Sequence, residues 1–578
     1  MAVNLTGIRL YARQNGGYSN ALNVNVLNIG APDSTVNWTA SVVNPSSWLA
    51  LGPPTSGTAT ANAPGPLSIS LTSTATQMSP GGYYGLIKIT DPNSLNSPQY
   101  VLVVLDLESS SSASLPDQIP AGVFFVATAE GAQTSPVVLD VNTSSSTPVP
   151  FYAAATTTDG GNWLIVNPTS GSSTGANAGT VNISVNPAAL TQGVYTGDVN
   201  ISMSGALRTT NVTVVVVPAG DSANATSPRA VRPAAAGCTA SKVVITETGL
   251  VNNFAVPAGF PATLIAQLND DCGDTLPGGS VTASFSNGDA PLTLVGNGQD
   301  GTYSATWQPG TVTLQMVVTL NASSGALQPA KVQLNGGVTQ NQSTPPVLTP
   351  SGTLHNLNPV VGAPLAPGTI VQVYGSGLGP PIGVSPGVIP LVNTFDNTYV
   401  LIGPYQAPLY FLSNHQLDVQ LPVELTATQQ YPIVVSVNNA ITLPDTLNVV
   451  PATPGVAAFA SGGIVAQHNS DFSLVTAANP AKAGEVIIMY LAGLGPTNPP
   501  VASGQPAPSN PPASVTLPVT VTVDNQNAKI FFAGLTPGAA GLYQIDFEVP
   551  ANASTGNVNV VVMQNGLAAN TTTLPVSQ

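Results

Sequence analysis

No stretch of twelve or more residues in this chain sustains a 3.6-residue apolar period, and its 54 prolines among 578 residues would break any long helix. What recurs instead are strand-length runs rich in Val, Ile, Thr and Tyr, such as LSISLTS, YGLIKIT, YVLVVLDL, TVNISVN, NVTVVVV and NVNVVVM. Clusters of Gly, Pro, Asn and Ser separate them at intervals of roughly 8–12 residues, which is the rhythm of β-sandwiches. The chain reads as all-β, and its length calls for several domains, since one domain takes about 100–200 residues.

Charge sharpens this. Only 6% of residues are charged while 43% are hydrophobic, so disorder driven by high charge and low hydrophobicity is excluded. A net charge of −15, with a pI near 4.2, repels phosphate backbones and anionic lipid, and the basic residues are scattered except for Arg229 and Arg232. Nucleic acid is not an expected partner. Apolar runs such as 101–105 and 214–217 fall far short of the roughly 18 residues that span a bilayer. The opening MAVNLTGIRLYAR lacks the apolar core of a signal peptide, so the chain reads as soluble, with no membrane span. The two cysteines, Cys238 and Cys272, exclude a Cys-rich metal site; 34 residues apart in one β-rich stretch, they suit a disulfide in an oxidising compartment.

Two internal duplications divide the chain. Trp48-Leu49, Thr55-Ser56-Gly57 and Gly81-Gly82-Tyr83-Tyr84-Gly85 recur as Trp163-Leu164, Thr169-Ser170-Gly171 and Gly193-Val194-Tyr195-Thr196-Gly197. Homologous sandwiches are expected over 1–109 and 110–218, with Trp38 aligned to Tyr152 as core residues. A linker rich in small residues and proline covers 219–237, and a domain over 238–340 holds the two cysteines and the hairpin signals Asn297-Gly298 and Asp300-Gly301. Further on, APGTIVQVYGSGLGPP (366–381) returns as KAGEVIIMYLAGLGPT (482–497), and HQLDVQLP (415–422) as YQIDFEVP (543–550). This places two more sandwiches at 341–452 and 453–578, with Tyr374 equivalent to Tyr490 and shared glycines marking shared turns.

The last two repeats resemble a family, the uncharacterised C-terminal domain of large secreted proteins of Solibacter-type acidobacteria. The residues that carry the resemblance are Ala478-Asn479-Pro480, Gly493-Leu494-Gly495-Pro496, Gly504 with Ala507-Pro508, the run from Phe532 to Gly538, and Gly541-Leu542-Tyr543-Gln544. It covers about 350–578, and Asp418 and Asp546 depart from it where Asn is expected. The WL, TSG and GxYxG repeats of 1–218 are similar to BACON-like Ig modules, and PGTIVQVYGSGLG resembles the start of an IPT/TIG domain. These resemblances imply secretion and Ig-like modules and no reaction; five such modules in series are expected to form an elongated array of tandem Ig-like β-sandwiches.

Candidate chemistry is sparse. Gly171-Ser172-Ser173-Thr174-Gly175 satisfies G-x-S-x-G, but both flanks read as loop and the first repeat loses the serine, so a nucleophile elbow is not expected. Gly375-Ser376-Gly377-Leu378-Gly379 follows a strand but runs into Pro380-Pro381, which suits a tight turn rather than a dinucleotide site. His355, His415 and His468 stand in unrelated contexts, without metal-ligand spacing. Asp270, Asp271 and Asp274 read as a solvated loop, with calcium as the alternative. Trp48 and Trp163 read as core, leaving Tyr11, Tyr18 and Tyr405 as the exposed rings for any glycan. The sequons at Asn4, Asn182 and Asn211 are what an Asn- and Thr-rich composition throws up by chance.

The expectation is a non-enzymatic subunit of an extracellular or cell-surface assembly, with no catalytic residues, cofactor or metal. It self-associates into a homopolymer or surface layer, and the opening strand, residues 5–13, is the expected donor for β-strand addition. A glycan- or protein-binding adhesin is the alternative, and a non-catalytic region of a secreted enzyme a remote one.

Overall fold

The computed structural model describes residues 1–112, 116–218 and 238–578; the expected linker 219–237, with Arg229 and Arg232, lies outside the described residues. Strands dominate, and the helical pieces among these residues are two 3-10 turns, Ser73–Gln77 and Pro187–Ala189. The chain divides into two compact units, the first built by residues 1–94 and 99–344 and the second chiefly by 345–578.

In the first sandwich, Ala2–Val3, Leu22–Leu27, Gly65–Leu71 and Leu49–Leu51 form one sheet, in that spatial order. Gly7–Arg13, Gln99–Glu108, Gly81–Thr90, Val36–Val42 and Ser56–Ala59 form the other. The second sandwich repeats both orders strand for strand, from Asp117–Ile119 to Leu164–Asn167 and from Gly122–Thr128 to Ser170–Ser173. Packing explains the repeated motifs. A side chain on Gly85 would run into Leu49 at 2.6 Å, and one on Gly197 into Leu164 at 3.0 Å, so the glycine of GxYxG makes room for the Trp-Leu pair. Tyr83 and Tyr195 each donate to the carbonyl four residues upstream, Ser79 at 2.7 Å and Thr191 at 2.9 Å, pinning the corner before the strand.

The alignment of Trp38 with Tyr152 is wrong by one residue. Trp38 pairs across its ladder with Gly57, and the residue paired with the equivalent Gly171 is Phe151. Phe151 is 1% exposed and Tyr152 67%, because neighbours on a strand face opposite ways.

The opening strand is not a free donor either. Gly7–Arg13 runs parallel to Gln99–Glu108, with Leu10 opposite Leu105, and Ile8, Leu10 and Ala12 are fully buried in the core of their own sandwich. Lending this strand to a neighbour would empty that core.

The third sandwich has one continuous eight-stranded sheet, folded over a core in which Trp307 stacks on Phe285 at 4.7 Å and meets Phe254 edge-on at 6.0 Å. It packs on both predecessors. The Thr306 hydroxyl accepts from the amides of Thr6 (3.1 Å) and Gly7 (3.0 Å), while Thr209 and Asn252 exchange backbone hydrogen bonds of 3.0 Å. Gly17 and Gly175 lie back to back between the first two sandwiches, so close that a Cβ on either would collide with the other's Cα.

Cys238 is joined to Cys272, with their Cα atoms 5.7 Å apart. Asp270 Oδ1 accepts from the amides of Cys272 and Asp274, both at 2.9 Å, and shapes the turn that presents Cys272. Unreduced protein is therefore expected to show no thiol reactive to a maleimide. Replacing both cysteines with Ala is expected to cost the 238–344 region about 4 kcal/mol by loop-closure entropy, read as a lowered denaturant midpoint.

In the second unit, the strand pair Ile370–Ser376 and Gln416–Gln420 sets Tyr374 opposite Gln416, and the pair Val486–Ala492 and Tyr543–Glu548 sets Tyr490 opposite Gln544. The duplication thus extends to register. Gly377 (φ +69°) and Gly493 (φ +79°) hold the same left-handed turn after their strands. The next shared pair diverges: Gly495 is left-handed at φ +77°, whereas Gly379 packs against Ser413 O, which a Cβ would meet at 2.9 Å.

Candidate functional site

The sequence candidates for chemistry resolve into structural roles. Ser173 of the G-x-S-x-G run is buried on an edge strand and donates to Val141 O at 2.6 Å, where no substrate reaches its hydroxyl. The 375–379 run ends a strand and turns at Gly377, with Leu378 in the core. Asp271 accepts from Ser241 N (2.8 Å), Ser241 Oγ (2.5 Å) and Lys242 N (3.3 Å), and these hydrogen bonds hold its carboxyl below the usual range even though partial burial opposes them. With Asp270 capping its own turn, no group of three or more potential metal ligands gathers among the described residues.

The rings expected to be exposed divide. Tyr11 is half-buried and donates to Asp117 Oδ2 at 2.6 Å; burial and the neighbouring carboxylate push its phenol well up. Tyr18 packs against the first core, and Tyr405 alone of the three is exposed, at 39%. Trp48 and Trp163 are buried as expected. Of the three sequons named above, Asn4 is buried and the Asn211 amide is enclosed, whereas Asn182 faces solvent.

A cleft of about 280 Å³ lies where the 347–449 sandwich meets the 455–577 sandwich. Pro367, Leu425 and Pro451 line one side, and Pro496, Val501 and Leu517 the other. Gln420 closes the seam: its Oε1 accepts from Gly504 N at 2.6 Å and its Nε2 donates to Gly368 O at 3.4 Å. Ser503 donates to Glu424 Oε2 at 2.6 Å and accepts from Val423 N at 2.9 Å, and the Tyr410 hydroxyl donates to Ala540 O. Tyr543 at the cleft wall donates to Gly495 O at 2.6 Å, and burial drives its phenol far above the usual range. The lining carries no charged side chain, so the cleft suits an uncharged, apolar group of small size.

Beside the cleft lies a buried histidine that spacing rules passed over. His355 ends the strand Val347–His355 at 4% exposure, and its Nδ1 accepts from the amides of Leu357 (3.0 Å) and Asn358 (3.1 Å). Its Nε2 makes no well-aligned hydrogen bond but lies near the backbone carbonyls of Ala492 and Thr453, and the hydroxyls of Thr369 and Thr453 have no partner. The other two histidines are spent elsewhere: His415 on Gly375 O at 3.2 Å, His468 on Glu485 at 2.7 Å. A second buried ionisable group is Glu247, fully enclosed, whose Oε1 accepts from Gly249 N, Leu250 N and Ile265 N while Oε2 has no partner. Burial raises its carboxyl to about 8 against the pull of those three amides.

Comparison with known proteins places family matches on two of the sandwiches. Residues 116–217 match the viral BACON domain family and residues 353–449 the IPT/TIG domain family; neither match reaches 450–578. No curated protein shows a significant match to the chain. Among solved structures, it is similar to the Bacteroides ovatus mixed-linkage glucan utilization locus protein SGBP-B in complex with a mixed-linkage heptasaccharide. That alignment has 12% identity over 60% of this chain and 69% of that one, with a TM-score of 0.24. Sidekick-1 immunoglobulin domains 1–5 align over 98% of this chain and 96% of theirs at 11% identity and a TM-score of 0.19. The protocadherin GammaB4 extracellular domain aligns over 99% and 84% at 11% identity and a TM-score of 0.15. The chain is an all-β tandem of Ig-like sandwiches that includes a BACON-type and an IPT/TIG-type domain.

Proposed function

We propose that this protein is a non-enzymatic structural subunit of an extracellular or cell-surface assembly, working as modules over 1–109, 110–218, 238–340, 341–452 and 453–578. The observation that carries the reading is the chemistry of the sheet edges. Ser56–Ala59 and Ser170–Ser173 are the end strands of their five-stranded sheets and bear no Lys, Glu or Pro, the residues by which solitary sandwiches fend off strand pairing. The second-unit motifs that resemble a secreted C-terminal family support the extracellular setting. Because the opening strand is locked into its own core, an added strand comes from elsewhere on a neighbouring copy.

Negative-stain microscopy of concentrated protein tests this, with the exposed edge residues Thr58 and Ser172 each changed to Lys. Ordered polymers in the parent and separate particles in T58K/S172K are expected. Separate particles in both would overturn the reading and favour the second one, an adhesin, which rests on the apolar cleft between the two second-unit sandwiches.

A further inference from the structure

The neutral ring of His355 is seated in a bed of glycines contributed by the following sandwich. Gly455, at the start of the strand Gly455–Val456, lies so close that a Cβ there would collide with ring atom Cε1. A Cβ on Gly493 would meet His355 Nε2 at 2.9 Å and Thr369 Oγ1 at 3.1 Å, and would collide with Thr453 O. Thr453 N in turn donates to Gly493 O at 2.8 Å, so the bed is itself hydrogen-bonded. A residue of one sandwich thus fits a socket that exists only because the next sandwich has no side chains there.

We propose that His355 is an acid-released latch between the 347–449 and 455–577 sandwiches: the neutral ring holds the junction closed, and protonation expels it from the glycine bed. The reason is the double acceptor role of Nδ1. A proton on that nitrogen would face the two N–H groups of Leu357 and Asn358, so the charged ring keeps neither hydrogen bond. Nor does any opposite charge welcome it. The segments around the ring, 356–369, 370–376, 451–458 and 486–495, carry no acid or base, only Tyr374 and Tyr490 among titratable side chains. Asp445, on the strand packed beside Val347–His355, is engaged with the amides of Ser351 and Thr446. Burial pulls the ring down to about 4 from 6.5 and outweighs the backbone carbonyls of Ala492 and Thr453, which favour the charged form; that difference allows protonation to favour the released state by up to roughly 300-fold. The latch holds above pH 6.5 and weakens as pH falls from there toward 4. Gly368, Pro451 and Gly495, which line the cleft, lie within two residues of Thr369, Thr453 and Gly493, so release reshapes the cleft as well.

Hydrogen exchange of the full chain at pH 7.5 and 4.5, corrected for chemical exchange rates, tests the latch. The amides of Leu357, Asn358 and Thr453 are expected to lose at least about tenfold in protection at the lower pH while the ladder of Gly556–Gln564 keeps its own. His355→Asn, whose side-chain oxygen can still accept from the same turn but does not titrate, is expected to abolish the pH dependence. Gly455→Ala is expected to open the same amides at both pH values. Unchanged protection in the parent protein, loss in step with 556–564, or a pH dependence that survives in H355N would each overturn the proposal. The first two outcomes need no variant to fold.

Discussion

Deleting residues 1–13 is expected to unfold the first sandwich rather than merely remove a sticky end. The segment carries Met1, Val3, Leu5, Ile8, Leu10 and Ala12, all buried in one core, and its strand supplies a seven-residue parallel ladder to Gln99–Glu108. At 1.5–3 kcal/mol for each large apolar side chain, their loss amounts to about 10 kcal/mol, as much as a typical domain's whole stability. The partners left behind suffer too: Asp117 loses the Tyr11 hydroxyl, and Asp106 and Glu108 lose their ion pairs with Arg9 (3.7 Å) and Arg13 (3.8 Å). Calorimetry of the truncated chain should lack one unfolding transition, and the fluorescence of Trp38 and Trp48 should shift red in native buffer. A truncated protein with every transition intact would contradict the assignment of this strand to its own sandwich.

Glu247→Gln should make the 238–344 region more stable at alkaline pH and leave it nearly unchanged in acid. A carboxyl raised from 4.5 to about 8 binds its proton more tightly folded than unfolded. Its contribution is fully present below pH 4.5 and is lost as pH rises through 8. Above that, the wild-type protein carries a buried charge whose Oε2 has no partner, and the lost stability approaches about 5 kcal/mol at 1.36 kcal/mol per pH unit. Glutamine removes the charge and keeps an oxygen for the three amides, at the cost of an amide group needing an acceptor. Denaturant midpoints of 238–344, followed by hydrogen exchange, should separate the two proteins by several kcal/mol at pH 9 and by less than about 1 at pH 5. Parallel pH profiles would contradict it. Burial also raises Asp106, Glu108 and Asp117, so the contribution of these three carboxyls is favoured by mild acid, the opposite of the His355 junction.

The strands and the duplications were legible because both are written in local pattern. Alternation and turn residues mark the strands, and glycines paired with Trp-Leu mark the places where a bulky pair needs space. Register was less so: Phe151 and Tyr152 are adjacent aromatic residues, and a one-residue error on a strand exchanges the core face for the solvent face. Roles set by neighbours far along the chain were not legible at all. Tyr11 looked exposed because Asp117, its partner, lies 106 residues away. His355 carries no metal or catalytic spacing, and its meaning comes from Gly455 and Gly493, two of the 56 glycines. Glu247 sits in VVITETGL, where a single acid among apolar residues was the available signal of burial.

The proposal of assembly through uncharged β-surfaces turns on whether copies associate without help from charge. Among the described residues, the three arginines, Arg9, Arg13 and Arg208, gather near Asp106, Glu108 and Asp117 inside the first unit, and the end strands Ser56–Ala59 and Ser170–Ser173 carry only Ser, Gly, Thr and Ala. Sedimentation velocity of the intact chain across a concentration series, at 0.15 M and 1 M NaCl, measures this directly. The account predicts association that strengthens with concentration and persists at 1 M salt, where charges are screened beyond about 3 Å. A monomer at every concentration, or complexes that dissolve in high salt, would contradict it.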